Sequence, residues 1–203
     1  MAQYKKEETQ NLIIQSAEKL FSERGYHNTT ISDIAKETGI SVGNVYRYYK
    51  GKEQILEEVL PEEFVVKLRE NLRTKIVTGK SDTINEQSKK REYLEKSNMF
   101  HRMIIENKRK LIILMQYSEE TPYEDFRKNV VRNLVEFIIA QFNPENEQNQ
   151  NLKDLLTILY DGYIQMSLDI AAREWDDEKT LGALRNLNQY HIIGLEALLR
   201  KEE

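Results

Sequence analysis

Helix breakers are scarce in this chain, and they are unevenly placed. Three prolines occur in 203 residues (Pro61, Pro122 and Pro144), and four of the eight glycines (Gly25, Gly39, Gly43, Gly51) lie within the first 51 positions. Because these two residues punctuate local structure, the N-terminal quarter reads as short pieces joined by tight turns, and the remainder as long ones. Apolar residues recur at spacings of three and four far more often than at two, and no internal repeat is visible. The expected fold is all-α, with about nine helices.

Leu12, Ile13, Ser16, Ala17, Leu20 and Phe21 mark the inner face of a first helix that stops at Gly25. Thr30 has the position of an N-cap, with Asp33 three residues on as its capping-box partner. The short helix that follows turns Ile34 and Ala35 inward and ends at Gly39, where a left-handed residue is expected. Ser41 caps again, a helix of about two turns is expected over Val42–Tyr49, and Gly51 closes it. Two short helices joined at Gly39 have the shape of a helix-turn-helix. Lys52 starts a long fourth helix that Pro61 kinks or splits.

Further on, Thr78–Asp82 is a polar break, and Glu86–Asn107 a charged helix followed by the apolar Leu111–Met115. Thr121, Pro122 and Glu124 form a helix-start signature of cap, N1 proline and N3 glutamate. The helix they open shows Phe126, Val130, Leu134, Phe137 and Ile138 on one side and ends near Phe142. Asn143–Asn151 is a solvated loop, and Asn151–Ala172 and Asp177–Leu199 are the last two helices. This divides the chain into residues 1–51 and a larger helical domain, 52–203.

The composition narrows the function. Absence of cysteine removes disulfides, thiol nucleophiles and thiolate metal sites, and permits a cytoplasmic location. No apolar run approaches the roughly 20 residues a membrane helix needs, so no membrane partner is expected. No nucleophile–base pair, metal motif or phosphate-cradling glycine loop is present, so neither catalysis, metal nor cofactor is expected. His27, His101 and His191 are scattered and read as structural or exposed.

One stretch stands out against a net charge of −4, from 30 basic and 34 acidic residues. Ser41–Lys52 carries Arg47, Lys50 and Lys52, three tyrosines, and no acid. In a helix-turn-helix the second helix enters the major groove with its first residues near base edges. There Gly43 lets the backbone come close to DNA, and Tyr46 and Tyr48 can donate hydroxyls to phosphate oxygens. Arg47 can reach a phosphate or a guanine edge, and Lys52 sits at a helix start where anions are favoured. Phe21, Ile34, Val45 and Tyr49 read as core, and Lys50 as solvated.

The spacing of these residues is specific. Ile14–Leu56 resembles the N-terminal domain of the TetR family, through A-x-x-L-F-x-E-x-G-Y (Ala17–Tyr26), T-T-I-x-x-I-A (Thr29–Ala35), T-G-I-S-x-G-x-V-Y-x-Y-Y (Thr38–Tyr49) and K-G-K-E-x-I-L (Lys50–Leu56). The resemblance covers about a fifth of the chain. It implies that residues 1–51 bind double-stranded operator DNA, in a homodimer whose larger domain holds an unknown small molecule that releases the DNA. It also implies that Thr30 and Tyr46 meet phosphates, with Tyr48 and Lys52 beside them, and that Ser32, Val42, Gly43, Asn44 and Arg47 face base edges or their neighbourhood. Val42 departs from a frequent lysine and suits a thymine methyl; Tyr48 stands where histidine is common.

In the larger domain, Phe100, Met103, Ile104, Leu114, Tyr117, Phe126, Phe137 and Tyr163 lie on apolar helix faces, and aromatic and methionine side chains suit an adaptable apolar cavity. Plain core is the competing reading of each. Gly162 and Gly194 remove side chains mid-helix at about 1 kcal/mol each, a penalty that close helix approach across a dimer would offset. The leading expectation is a ligand-responsive repressor. The alternative is a TetR-like DNA binder without a small-molecule inducer, architectural or controlled by another protein.

Overall fold

The computed structural model describes residues 2–78, 87–142 and 148–199. Its elements are α1 (Ala2–Arg24), α2 (Ile31–Thr38), α3 (Val42–Val45), α4 (Lys52–Val59), α5 (Glu62–Thr78), α6 (Gln87–Glu106), α7 (Lys108–Gln116), α8 (Phe126–Phe142), α9 (Gln150–Ala172) and α10 (Asp177–Leu199). The fold is all-α, with ten helices and no strand among the described residues. Pro61 splits rather than kinks the rod that begins at Lys52, since Leu60 leaves helical geometry and α5 starts after the proline. The expected break at Thr78–Asp82 lies, past Thr78, outside the described residues, as does most of the loop expected from Asn143.

Two compact units are present. One comprises Met1–Leu68 with Arg109–Arg127, the other Arg69–Lys108 with Lys128–Glu203. The first unit therefore extends past residue 51 and takes in α4, most of α7 and the turn after it. In it, α1 packs on α2 and α4, and α2 on α3. Ile13, Phe21, Ile34, Val45, Ile55 and Val59 are fully buried between them. In the second unit α10 packs on α6 and α9, around Leu156, Leu168, Ala171 and Leu184.

Local chemistry accounts for the short helices. Thr30 Oγ1 accepts from the Asp33 amide at 3.1 Å while the Asp33 carboxylate accepts from the Thr30 amide at 2.9 Å, closing the capping box. Gly39 (φ 72°) caps α2 in the left-handed region, its N–H directed at the Ala35 and Lys36 carbonyls. Ser41 Oγ accepts from the Asn44 amide at 3.2 Å and starts α3.

Two boundaries differ from expectation. The helix expected over Val42–Tyr49 is regular only through Val45. Beyond it Arg47 and Tyr48 donate their amides three residues back, to Asn44 and Val45, and the chain tightens into turns. Burial of both Val45 and Tyr49 holds this path. Likewise, Thr121 does not start α8. Its hydroxyl accepts from Tyr123 N, only two residues on, and donates to the Ser118 carbonyl at 2.6 Å. A run of turns follows, and the helix begins at Phe126.

A methyl group built on Gly39 meets nothing within 4 Å, so Gly39→Ala tests backbone strain alone. Chemical denaturation is expected to show a loss of about 1 kcal/mol.

Candidate nucleic-acid interface

The side chains of α3 and the turns after it divide cleanly. Val45 and Tyr49 are buried, whereas Val42 (38% exposed), Tyr46 (54% exposed), Gly43 and Arg47 face solvent, with Asn44 and Tyr48 half-buried. A chain with two large apolar anchors on one side presents what remains on the other, here an apolar side chain, a phenol, a guanidinium and an amide. These are the groups that read base edges and phosphates. Thr30 and Ser32, at the start of α2, are exposed as well.

Two of the expected phosphate contacts are engaged within the protein. Thr30 gives both its amide and its hydroxyl to the Asp33 carboxylate, at 2.9 and 2.6 Å. These bonds hold the Asp33 carboxyl below its ordinary range. Lys52 Nζ donates to the Tyr26 carbonyl at 2.6 Å and lies 4.1 Å from the centre of the Tyr26 ring. Burial lowers its pKa from the ordinary lysine value, against the opposing pull of Glu120. Lys50 is exposed, and its amide caps on Gln54 Oε1 at 2.9 Å.

The Tyr26 region was not visible as part of a site in the sequence. Tyr26 is buried, with its ring edge-on to Phe21 at 5.3 Å. The turn between α7 and α8 docks beside it. Tyr117 O accepts from the Tyr26 amide at 3.4 Å, and Glu120 sits 2.7 Å from His27 Nδ1. Glu120 holds a left-handed φ of 59° there. These contacts join residues some ninety positions apart, a separation that no local pattern signals.

The eight apolar residues considered for a ligand do not fall in one unit. Leu114 and Phe126 are buried in the first, with Tyr117 at its docked turn. Phe100, Met103, Ile104, Phe137 and Tyr163 belong to the second. There Tyr163 donates to Asn188 Oδ1 at 3.2 Å and stacks on His191 at 4.3 Å, with Tyr160 edge-on to the same ring at 4.9 Å. Burial raises the pKa of both phenols. Among the described residues no group of three or more metal-ligating side chains occurs, and no helix is long and apolar enough to cross a membrane.

The arrangement of α2, turn and α3 is that of a helix-turn-helix DNA-binding domain. Residues 13–59 match the family of "Bacterial regulatory proteins, tetR family", a likeness carried by this N-terminal domain. A fatty acid metabolism regulator protein of Bacillus subtilis (strain 168) is 36% identical over 66 residues, covering 31% of this chain and 34% of that protein. The HTH-type transcriptional repressor KstR2 of Mycolicibacterium smegmatis (strain ATCC 700084 / mc(2)155) is 46% identical over 48 residues, covering 24% of this chain and 23% of that one. The chain thus matches about a third or less of the length of these curated relatives. The crystal structure of a TetR-family transcriptional regulator from Bordetella parapertussis 12822 shares the fold over 90% of this chain and 93% of that one, with a TM-score of 0.57 at 23% identity.

The capping box carries a pH signature. A depressed carboxylate stabilises the fold while ionised, so its contribution is full above the ordinary carboxylate range and is lost as pH falls through the lowered value. The Tm difference between the protein and Asp33→Asn is therefore expected to be largest near neutral pH and to shrink as pH falls below the ordinary carboxylate range.

Proposed function

We propose that the protein is a cytoplasmic transcriptional repressor that binds a palindromic operator as a homodimer and is released by a small apolar or amphipathic molecule. The observation that carries the DNA-binding part is the split of the α3 segment, with Val45 and Tyr49 inward and Val42, Tyr46 and Arg47 outward. Val42 would meet a thymine methyl, Asn44 and Arg47 base edges, and Tyr46 and Tyr48 phosphates, with Gly43 and Ser32 at the groove wall. Residues 1–51 would read the duplex, and 52–203 would sense the ligand and hold two copies together.

Support for the dimer comes from the outer faces of α9 and α10. Leu155, Ile158, Leu159 and Met166 are spaced three, four or seven residues apart along one side of α9, and Ile158 is 69% exposed. On α10, Tyr190 (73% exposed) and Ile193 stand three residues apart and both face solvent. Gly162 and Gly194 lie among these residues, and among the described residues a methyl on either meets no atom within 4 Å beyond its chain neighbours and its own helix backbone. We read the two glycines as room left for the approach of a second copy. Exposed apolar residues gathered along helix faces are the kind of surface at which proteins associate.

The ligand is proposed for the second unit, near Phe100, Met103, Ile104, Phe137 and Tyr163. Their apolar and aromatic character favours an apolar compound, in keeping with a relative named for fatty acid metabolism. The repressor reading follows a relative named as one.

An operator is first obtained by selection from random duplexes. Tyr46→Phe should then weaken binding to all sequences and lower the salt slope by about one unit, as loss of one phosphate contact demands. Arg47→Ala and Asn44→Ala should instead weaken binding by about 1–3 kcal/mol and relax base preference. An unchanged affinity in all three variants would remove this face from the DNA.

A further inference from the structure

Lys52 is a lysine at the first position of a helix flanking the reading head, where a cation would be expected to face the phosphates. Its geometry is different. The ammonium donates to Tyr26 O at 2.6 Å, reaches toward His27 O at 3.5 Å, and sits over the Tyr26 ring at 4.1 Å. The Tyr26 carbonyl also accepts from the Thr29 amide at 3.2 Å, using the second of its two lone pairs. The amide of the same residue points the other way, to Tyr117 O at 3.4 Å.

Tyr26 is thus a node where three chain segments meet: the start of α4 through Lys52, the α1–α2 turn itself, and the α7–α8 turn through Tyr117. Two further contacts pin the last of these. Glu120 pairs with His27 at 2.7 Å, and the Tyr117 ring lies against Gly25, where an added methyl would stand 3.5 Å from it. Gly25 holds a left-handed φ of 88° beside the buried Tyr26, a conformation that glycine adopts without strain.

We propose that Lys52 is a positioning residue: through the Tyr26 carbonyl it fixes the start of α4, and with it the α3 reading segment, to a junction shared with the α7–α8 turn. This rests on the DNA-binding reading given above and adds its regulation. The α3 segment is bounded by the α2 turn on one side and by Gly51–Lys52 on the other. Tying Lys52 to the α1–α2 turn therefore sets the distance between the start of α2, with Thr30 and Ser32, and the residues Tyr46 and Arg47. Any movement of the α7–α8 turn reaches Tyr26 by its amide and Lys52 by its carbonyl. The charge of Lys52 acts inside the protein.

The test compares the wild type with Lys52→Met and with the milder, still cationic Lys52→Arg. In free protein, hydrogen exchange of the Tyr26 amide should accelerate about tenfold or more in Lys52→Met, as expected for loss of a charge-assisted bond at the node. It should stay closer to wild type in Lys52→Arg. On a selected operator, Lys52→Met should bind about tenfold more weakly at every salt concentration, giving a line parallel to that of the wild type. A slope reduced by about one unit would make Lys52 a phosphate contact and overturn the proposal. So would unchanged Tyr26 exchange, or fast exchange with unaltered operator affinity. Failure of the wild type to bind any duplex would strike the DNA reading, while the exchange comparison would still decide the tether.

Discussion

Everything the first unit offers to a duplex depends on keeping a four-residue helix still. A helix as short as α3 has no stability of its own, since forming a single turn fixes many dihedrals for few hydrogen bonds. It is held from outside, by Ser41 at its start, by the left-handed Gly39 before it, and by Val45 and Tyr49 anchored in the core. The first turn of α2 is held the same way, by the Thr30–Asp33 box. The exposed residues between these anchors have fixed positions because their neighbours are buried or capped. Such pre-set geometry lets a small surface discriminate among base edges.

The sequence disclosed this much because the relevant signals are local. Caps act over three residues, left-handed glycines over one, and amphipathic helices over four, so α1, α2, α4, α9 and α10 could be placed closely, as could the split at Pro61. What it did not disclose depends on contacts between distant residues. Tightening after Val45 follows from where Tyr49 must be buried, and Thr121 heads a turn because its hydroxyl is drawn back to Ser118. The bond from Lys52 to the Tyr26 carbonyl gave no signal in the sequence because the two residues lie 26 positions apart. The set of apolar residues assigned to a ligand was the least legible. Periodicity says that Leu114 and Phe126 face inward, but not which unit's interior they face.

The second unit supplies the complementary half of the account. Its inner seam between α9 and α10 mixes aliphatic packing with the Tyr160, Tyr163, His191 and Asn188 cluster. Its outer face leaves Ile158, Tyr190 and Ile193 to solvent. A polar cluster inside fixes which helix faces meet, and an apolar face outside favours covering by another copy. If two copies join there, as proposed, one assembly carries two reading segments, and their separation becomes a property of that assembly.

That separation is the central claim, and it can be measured with DNA alone. The two reading heads of a helix-turn-helix dimer engage half-sites one helical turn apart, about 34 Å or 10–10.5 base pairs centre to centre. Affinity should be measured for a selected palindrome and for the same palindrome with about five base pairs inserted at its centre, which turns one half-site to the opposite face of the duplex. The account predicts that the insertion reduces binding to the weak level of an isolated half-site. Equal affinity for both duplexes would contradict it, showing reading heads that act independently.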